Sequence, residues 1–538
     1  MKKKTALVTL LIGVMSLSGC TLIKYTHDSS SNDDQSSSGH NNSSSQSSED
    51  SSETSSSSSS SITTQDGYYK ANQLSMLSKD INSSYAPAIG AQKVLVIPIE
   101  LNPGTETDYS TWTTTDLSNL NKYYFGAKTD TPNNWNSLKT YYETASFGKL
   151  TISGMVTAKY TGSSLTMSDI NEDTTYQNLF SLISEAVSWA ESTYNTTNWS
   201  DYDTNDDGYI DSVHLITNYG YGSWSEPLWP HMYNTGASKG TLSNPTANVY
   251  SMSSLGHTDS SSGARTAIHE QGHIFGLEDY YDYSYSNVDY VGQADMQSNN
   301  VMDWNSYSKM TVGWSLPYVV TGEKASTEIT INPASTSGDC IVVPVPGSWN
   351  GSAFDEYFLL ELFTPVGNNS DDWTDWSQSL GTGGVRMYHV DSRLYSFGSS
   401  DYENESYNGE NVVKITGGQF IDSIPTDTSS SQLLLACNNS YAAQAYGMYV
   451  ASTSNHPLLA LLQAGKTNTF GSTSSSARHG LSSADLFKTG STFNFSNYSK
   501  FLNKNGTTPT TMDDGSAFPY TITFNSVSAT SATITFTK

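Results

Sequence analysis

The apolar positions in the first half of the chain follow two different periods, which indicates alternating strands and helices. Residues 94–99 form a continuous apolar run typical of a buried strand, and residues 149–157 and 212–216 have strand-like patterns. Between the last two, residues 176–194 place apolar side chains at helical spacing. The alternation extends through about residue 280, and it predicts a mixed domain over residues 63–320.

After residue 317 the pattern changes to short segments rich in Thr, Val, Ile and Phe, separated by clusters of Gly, Asn and Ser. The last two of these segments are residues 520–524 and 532–536. Short strands between turn residues favour a β-sandwich or jelly roll. The sequence therefore predicts an α+β chain in which residues 321–538 form one or more β-rich domains.

The first 19 residues have the three parts of an export signal. Three lysines follow Met1, an apolar run covers residues 6–17, and small residues precede Cys20. This end resembles the bacterial lipobox, in which the cysteine becomes the acylated first residue of the mature protein. The alternative is an ordinary signal peptide that ends near a cysteine. We expect a lipid anchor at Cys20, on the extracellular face of a bacterial membrane, and no membrane-spanning helix.

A serine-rich segment separates this anchor from the rest of the chain. Of the 33 residues at 29–61, 20 are Ser and five are acidic, and none has an aliphatic or aromatic side chain that a core needs. Residues 20–62 are therefore predicted to be a disordered tether.

The charge and cysteine content exclude two classes of protein. With 52 acidic and 25 basic residues the formal charge is −27, which repels a phosphate backbone and argues against nucleic-acid binding. Three cysteines are too few for a disulfide-dense scaffold. Once Cys20 is lipidated, Cys340 and Cys437 remain, and the sequence leaves open whether they form a disulfide.

The strongest chemical signal is a pair of histidines, His269 and His273, with Glu270 between them. Histidines four apart on a helix lie on one face and can share a zinc ion, while the glutamate reaches a metal-bound water as general base. Gly276 is well placed to end the helix, so the following segment can turn back and bring a third ligand to the ion. Asp279 is the best-placed oxygen donor, and Glu278 is its competitor. A solvated helical face is the alternative interpretation.

A second cation is predicted at Asp203, Asn205, Asp207 and Asp211. Oxygen donors on alternate residues, followed by a glycine, form the core of a calcium loop. The twelfth position is His214 instead of glutamate, so a complete EF-hand is absent, and Asp211 would replace the missing carboxylate. The alternative is a turn rich in Asx hydrogen bonds.

The histidine motif and several other segments resemble the immune inhibitor A family of secreted bacterial metallopeptidases, which are metzincin-like zinc proteases with the pattern HExGHxxGLPD. The resemblance covers about residues 93–400. Its segments are the opening strand at 94–101, SLKTYYE and SFGKL at 137–143 and 146–150, LWPH at 228–231, YSKM and GW at 307–310 and 313–314, and the strands at 356–361 and 384–391.

The resemblance implies that His269, His273 and Asp279 bind zinc and that Glu270 is the catalytic base. Glu278 stands where the family usually has Pro, so Glu278 competes with Asp279 as third ligand.

The resemblance also implies a methionine turn beneath the metal, for which Met296 is the best candidate and Met302 the next. Simple core packing is the alternative for both. Tyr290, Tyr307 and His231 are candidates for stabilising an oxyanion, although His231 is better explained as structural.

The function implied by the resemblance is hydrolysis of protein or peptide bonds by a monomeric, membrane-anchored zinc endopeptidase. Two alternatives remain. The chain could be a catalytically silent adhesin, or a glycan-binding or protein-binding lipoprotein, that keeps the peptidase fold. It could also be a lipoprotein that hydrolyses the crosslinks of the bacterial wall.

Overall fold

The computed structural model describes residues 66–76, 86–223, 226–258, 261–407, 410–425, 432–441, 448–498, 503–504 and 509–538. The expected signal peptide, the lipidation site Cys20 and the serine-rich tether lie outside these residues. None of the helices in the described part of the chain combines the length and apolar composition needed to cross a membrane.

The fold is mixed α+β, with several sheets and few helices. The helices of the described residues are α1 (Thr114–Phe125), α2 (Leu138–Ala145), α3 (Met167–Asn171), α4 (Gln177–Thr193), α5 (Arg265–Ile274), α6 (Met296–Asn299), α7 (Ser306–Thr311) and α8 (Ala334–Ser337). The first strands are β1 (Tyr68–Lys70), β2 (Gly90–Ile99), β3 (Leu150–Val156), β4 (Val213–Thr217), β5 (His231–Asn234) and β6 (Val249–Ser254). The strands β2, β3 and β4 and the helix α4 confirm the elements predicted from hydrophobic periodicity.

A five-stranded sheet in the order β3-β2-β4-β6-β5 forms the centre of the first half. The first four strands are parallel, and β5 is an antiparallel edge strand. Alternate residues of β2 pack in two different hydrophobic cores, one on each face of the sheet. Val94 packs in the core that contains α2 and α5, while Leu95 packs in the core that contains α4. Both faces of the sheet are covered, which explains why β2 is a continuous apolar run.

The second half is built from β strands, as the sequence predicts. Its strands are β7 (Tyr318–Val320), β8 (Ser326–Ile331), β9 (Ile341–Val343), β10 (Glu356–Phe363), β11 (Gly384–Asp391), β12 (Leu394–Phe397), β13 (Tyr402–Tyr407), β14 (Glu410–Ile415), β15 (Gln419–Phe420), β16 (Gln432–Leu435), β17 (Met448–Val450), β18 (Leu459–Leu461), β19 (Thr492–Asn494), β20 (Thr521–Val527) and β21 (Ala532–Thr537). They form a six-stranded sheet β1-β7-β9-β10-β11-β18, a four-stranded sheet β19-β20-β21-β8 and the three-stranded sheets β15-β12-β16 and β13-β14-β17.

The six-stranded sheet has two covered faces. Leu360 of β10 packs with Ile522 and Ile534 of the four-stranded sheet. Its neighbour Leu359 points to the opposite face and shares a core with Met302 and other residues of the first half. The strands β1 and β7 precede residue 321 in the chain but pair within this sheet, so the sheet crosses the expected domain boundary.

Hydrogen bonds from the second half fix the segment that follows α5. The Glu361 carboxylate accepts the backbone N–H and the hydroxyl of Ser306, at 2.8 and 2.6 Å. Arg386 binds Glu361 at 2.6 Å and donates to the carbonyl of Ala294 at 2.9 Å. Both Arg386 and Glu361 are buried, and a buried charged pair of this kind is costly to break.

The two described cysteines are free thiols, so the disulfide that the sequence left open does not form. Cys340 is buried with its Sγ 3.8 Å from the sulfur of Met310. Cys437 is also buried, with its Sγ 3.2 Å from a carboxylate oxygen of Asp391. Both side chains belong to the same core, but their sulfur atoms contact different groups.

Candidate metal centre

The helix α5 carries both histidines and ends where the sequence predicts. Every residue of α5 after Arg265 is buried. Gly276 follows the helix with φ +90°, a conformation that favours glycine. The N–H of Leu277 then bonds back to the carbonyl of Gly272 at 3.1 Å. This closed helix end turns the chain back toward the histidines and brings Asp279 beside them.

Three ligand atoms converge at the end of this turn. The Nε2 atoms of His269 and His273 are 3.1 Å apart, and Asp279 Oδ1 lies 2.9 Å from the first and 3.4 Å from the second. Zinc bonds of about 2.0–2.2 Å in a tetrahedral site place ligand atoms about 3.3–3.4 Å apart, so this donor set fits zinc. All three side chains are at least 95% buried.

Backbone carbonyls orient the two imidazoles. His269 Nδ1 lies 2.8 Å from the carbonyl oxygen of Met296, and His273 Nδ1 lies 2.7 Å from that of Leu277. A carbonyl can only accept, so both Nδ1 atoms carry the proton and donate it. In the neutral form that binds a metal, the Nε2 atom of each ring would present its lone pair to the same point, the arrangement that a metal-binding histidine pair requires.

Asp279 is the carboxylate that meets both histidines. Its Oδ2 accepts a hydrogen bond from Tyr283 at 2.8 Å, which leaves Oδ1 toward the two nitrogens. Burial alone would raise the pKa of Asp279, but the neighbouring histidines outweigh burial and hold it well below its usual range. In the described residues, the group of ligand atoms that lie within 4.8 Å of one another contains His269, His273 and Asp279 and does not include Glu278.

Glu270 is buried next to this group. Its side-chain Oε2 has no hydrogen-bond partner among the described residues, and the residue is 3% exposed. Burial raises the pKa of Glu270 to about 6, although the charges of the two histidines oppose the shift. A carboxylate with this pKa can both accept and release a proton near neutral pH.

Gly272 is needed for a close contact that the sequence pattern does not reveal. A Cβ on Gly272 would lie 2.2 Å from Oε1 of Gln297. That side chain donates to the carbonyl of His269 at 3.2 Å and accepts from the indole of Trp304 at 3.2 Å. Gln297 therefore packs against the helix between the two histidines and fixes the position of α6.

The two candidate methionines are in different surroundings. Met296 is fully buried in the core that contains α5, and its carbonyl receives the proton of His269. Met302 is buried in the core shared with the second half, and its carbonyl accepts from Tyr141 at 3.0 Å. Of the two, Met296 is the one in contact with a predicted metal ligand.

The candidates for oxyanion stabilisation are held by other interactions. His231 is buried, with Nδ1 2.7 Å from the carbonyl of Trp229 and Nε2 3.1 Å from the hydroxyl of Tyr250. Burial lowers the pKa of His231 to about 4, so it stays neutral. Tyr307 lies in the core shared with the second half, and Tyr290 packs with Val288 and Ala460. These contacts favour the structural interpretation of His231.

The predicted calcium loop forms a network of its own hydrogen bonds. Asp203 accepts the N–H groups of Asp207 and Gly208 at 2.9 and 2.8 Å, and the Asn205 amide donates to Asp207 at 3.0 Å. Asp211 accepts two bonds from a neighbouring threonine. These acidic residues do not make one of the ligand groups converging within 4.8 Å in the described chain. The geometry agrees with the Asx-rich turn, and calcium binding stays a prediction.

Comparisons with protein-family models and with curated proteins found no match to this chain. The resemblance to the immune inhibitor A family thus depends on the motifs in the sequence. The contacts of the histidines, of Asp279 and of Glu270 provide separate physical support for a metal site with an adjacent carboxylate.

Proposed function

We propose that the chain is a zinc-dependent endopeptidase with a metzincin-like catalytic half, similar to the immune inhibitor A family. The observation that carries the proposal is the convergence of three ligand atoms. Two histidine Nε2 lone pairs and one carboxylate oxygen lie 2.9–3.4 Å apart, beside a buried glutamate. Three protein ligands leave a fourth position for water or substrate, as in catalytic zinc sites.

Each residue has a defined part in peptide hydrolysis. His269, His273 and Asp279 would hold the ion, which when bound supplies Lewis acidity and lowers the pKa of water to about 7. Glu270 accepts the proton of the attacking water and delivers it to the amine of the departing peptide. Its burial raises its pKa to about 6, so the carboxylate is ready to accept and the acid is strong enough to donate.

The proposed location is the extracellular face of a bacterial membrane. The export signal and Cys20 support lipid anchoring, and the serine-rich composition of residues 29–61 supports a flexible spacer. A flexible coil of the length of residues 21–61 would have a root-mean-square span of roughly 35 Å. A monomer held at this distance from the lipid reaches protein or peptide substrates in its surroundings.

The test compares the wild type with Glu270→Ala for zinc content and for cleavage of an unfolded protein. The variant should keep the three ligands and the zinc while losing turnover by at least about 100-fold, because it lacks the proton acceptor. Glu143→Ala is the matched control, since Glu143 is exposed on α2, and it should leave both measurements unchanged.

Two outcomes contradict the proposal. If the wild type does not bind zinc, the metal assignment is wrong. If the wild type binds zinc but cleaves no unfolded protein, or if Glu270→Ala cleaves as fast as the wild type, the endopeptidase mechanism is wrong. The surface-binding alternative then becomes the better explanation.

A further inference from the structure

A second cluster of metal-binding side chains is buried in the β-rich half. Its members come from strands and connections that are distant in sequence, and they include two histidines, a cysteine and three carboxylates. They form two neighbouring groups, Asp391, Cys437 and His456 in one and Glu356, His389 and Asp513 in the other. None of them belongs to the histidine motif of the first metal site.

The ligand atoms in one part of this cluster have the spacing of a zinc site. Cys437 Sγ lies 3.2 Å from Asp391 Oδ2, and His456 Nδ1 lies 4.0 Å from the same oxygen and 3.5 Å from Asp513 Oδ2. Zinc bonds of about 2.3 Å to sulfur and 2.0–2.2 Å to nitrogen and oxygen imply ligand separations of about 3.4–3.6 Å. The observed separations lie on both sides of this range.

The histidine nitrogen in this cluster has no hydrogen-bond partner in the described residues. His456 Nδ1 is a buried atom, and its distances to the carboxylate oxygens are at or beyond the limit of a hydrogen bond. A buried, unpaired nitrogen is destabilising unless something binds it.

Neighbouring side chains orient the carboxylates. Arg393 makes two bonds of 2.7 Å to Asp391 and lies over the ring of Phe420. Glu356 accepts the backbone N–H of Asp513 at 2.5 Å, which holds the loop that carries this carboxylate. Such supporting contacts are typical of the groups around metal ligands.

The cluster has an excess of negative charge. It contains the carboxylates of Glu356, Asp391 and Asp513, and Arg393 forms ion pairs with the first two. A divalent cation would offset this charge.

We propose that Asp391, Cys437 and His456 bind a second zinc ion, which stabilises the β-rich half. The three ligands come from three separate places: the end of β11, the segment after β16 and the segment before β18. A carboxylate oxygen of Asp513 lies beside this group, 3.5 Å from His456 Nδ1. The proposal does not depend on the peptidase function, because it uses none of the residues around His269.

The test uses Co²⁺ as a probe of the full chain after removal of its metals. A thiolate bound to Co²⁺ gives a near-ultraviolet charge-transfer band, and the first site has no cysteine ligand. The wild type should show the band, and Cys437→Ser should lose it. Cys340→Ser is the matched control, because Cys340 is also a buried free thiol but belongs to no ligand group in the described residues, and it should keep the band.

Zinc counting gives a second readout. The wild type should bind about two zinc ions per chain, and Cys437→Ser about one. His456→Gln keeps the thiol but removes another ligand, so it should also bind one zinc ion fewer than the wild type. This variant tests the site if Cys437→Ser does not fold. The proposal is wrong if the wild type shows no thiolate band. It is also wrong if Cys437→Ser and His456→Gln both bind as much zinc as the control Cys340→Ser. If His269→Ala binds one zinc ion fewer but keeps the thiolate band, the lost ion belongs to the first site and the proposed second site is supported.

Discussion

Replacement of Gly272 by alanine tests whether the close contact between α5 and Gln297 holds the metal helix in place. The new Cβ would lie 2.2, 2.7 and 2.9 Å from the Oε1, Cδ and Nε2 atoms of Gln297, so that side chain has to move. Overpacking costs about 1–3 kcal/mol. Loss of the bonds to the His269 carbonyl and the Trp304 indole costs about 1 kcal/mol each.

The higher helix propensity of alanine offsets about 1 kcal/mol of this cost. The expected net loss is therefore about 2–4 kcal/mol, which lowers the melting temperature by roughly 2–4 °C per kcal/mol in a unit of this size. Thermal unfolding measures the shift, and metal content shows whether the ligands remain aligned.

A double-mutant cycle identifies the partner. Gln297→Ala removes the side chain that collides with the new Cβ, so Gly272→Ala should cost much less in that background. If Gly272→Ala unfolds at the wild-type temperature, or if its effect is the same with and without Gln297, the close contact is not what requires glycine at position 272.

Three further predictions concern the third ligand, a buried histidine and the contact between the two halves. Asp279→Asn should weaken zinc binding by more than about tenfold in a competition with a chelator, while Glu278→Gln should change it little; the reverse result would exchange their roles. Burial lowers the pKa of His231 to about 4 in the folded state, whereas an unfolded histidine has a pKa of about 6.5. Between pH 6.5 and 4 the unfolded state therefore binds more protons than the folded state, and the free energy of unfolding falls as the pH is lowered. The loss of stability over this pH range amounts to about 3 kcal/mol. His231→Gln should therefore make the melting temperature depend less on pH between 6.5 and 4, and an unchanged pH dependence would contradict the prediction. Asp372→Ala removes a buried carboxylate that accepts from an arginine of α5, a tryptophan indole and a backbone N–H, and it should lower stability by about 3 kcal/mol in thermal unfolding. Asp201→Ala removes only exposed contacts, an ion pair with Lys93 and a hydrogen bond from Asn198, and should leave stability almost unchanged.

The elements that the sequence predicts well are those whose burial is periodic. The strands β2 and β3 and the helix α4 are long enough to show their period. The apolar residues that the pattern identifies are buried in β2 and α4, and in β3 Leu150 and Ile152 are buried while Met155 is half-buried. Short strands do not have this signal. The three-residue strands β1 and β7 pair with each other although about 250 residues separate them, and only the folded chain shows that they extend the second sheet.

The same distinction applies to the first metal site. Two histidines four apart imply a shared ligand face, because the helix alone fixes their relation. The groups that orient them leave no such signal. The carbonyls of Leu277 and Met296 accept the Nδ1 protons, and any residue type supplies a carbonyl. Gln297 is also invisible from the pattern, although Gly272 indicates that some neighbour approaches the helix closely.

The supports of the first site extend into the β-rich half. Arg386 of β11 binds the carbonyl of Ala294, and two residues later the carbonyl of Met296 receives the proton of His269. The imidazole of His269 is thus held by a segment that the second half fixes. Because Arg386 is itself paired with the buried Glu361, the β-rich half contributes to the geometry of the metal site as well as to the stability of the chain. Arg386 therefore links the β-rich half, through the carbonyl of Ala294, to the segment that orients His269.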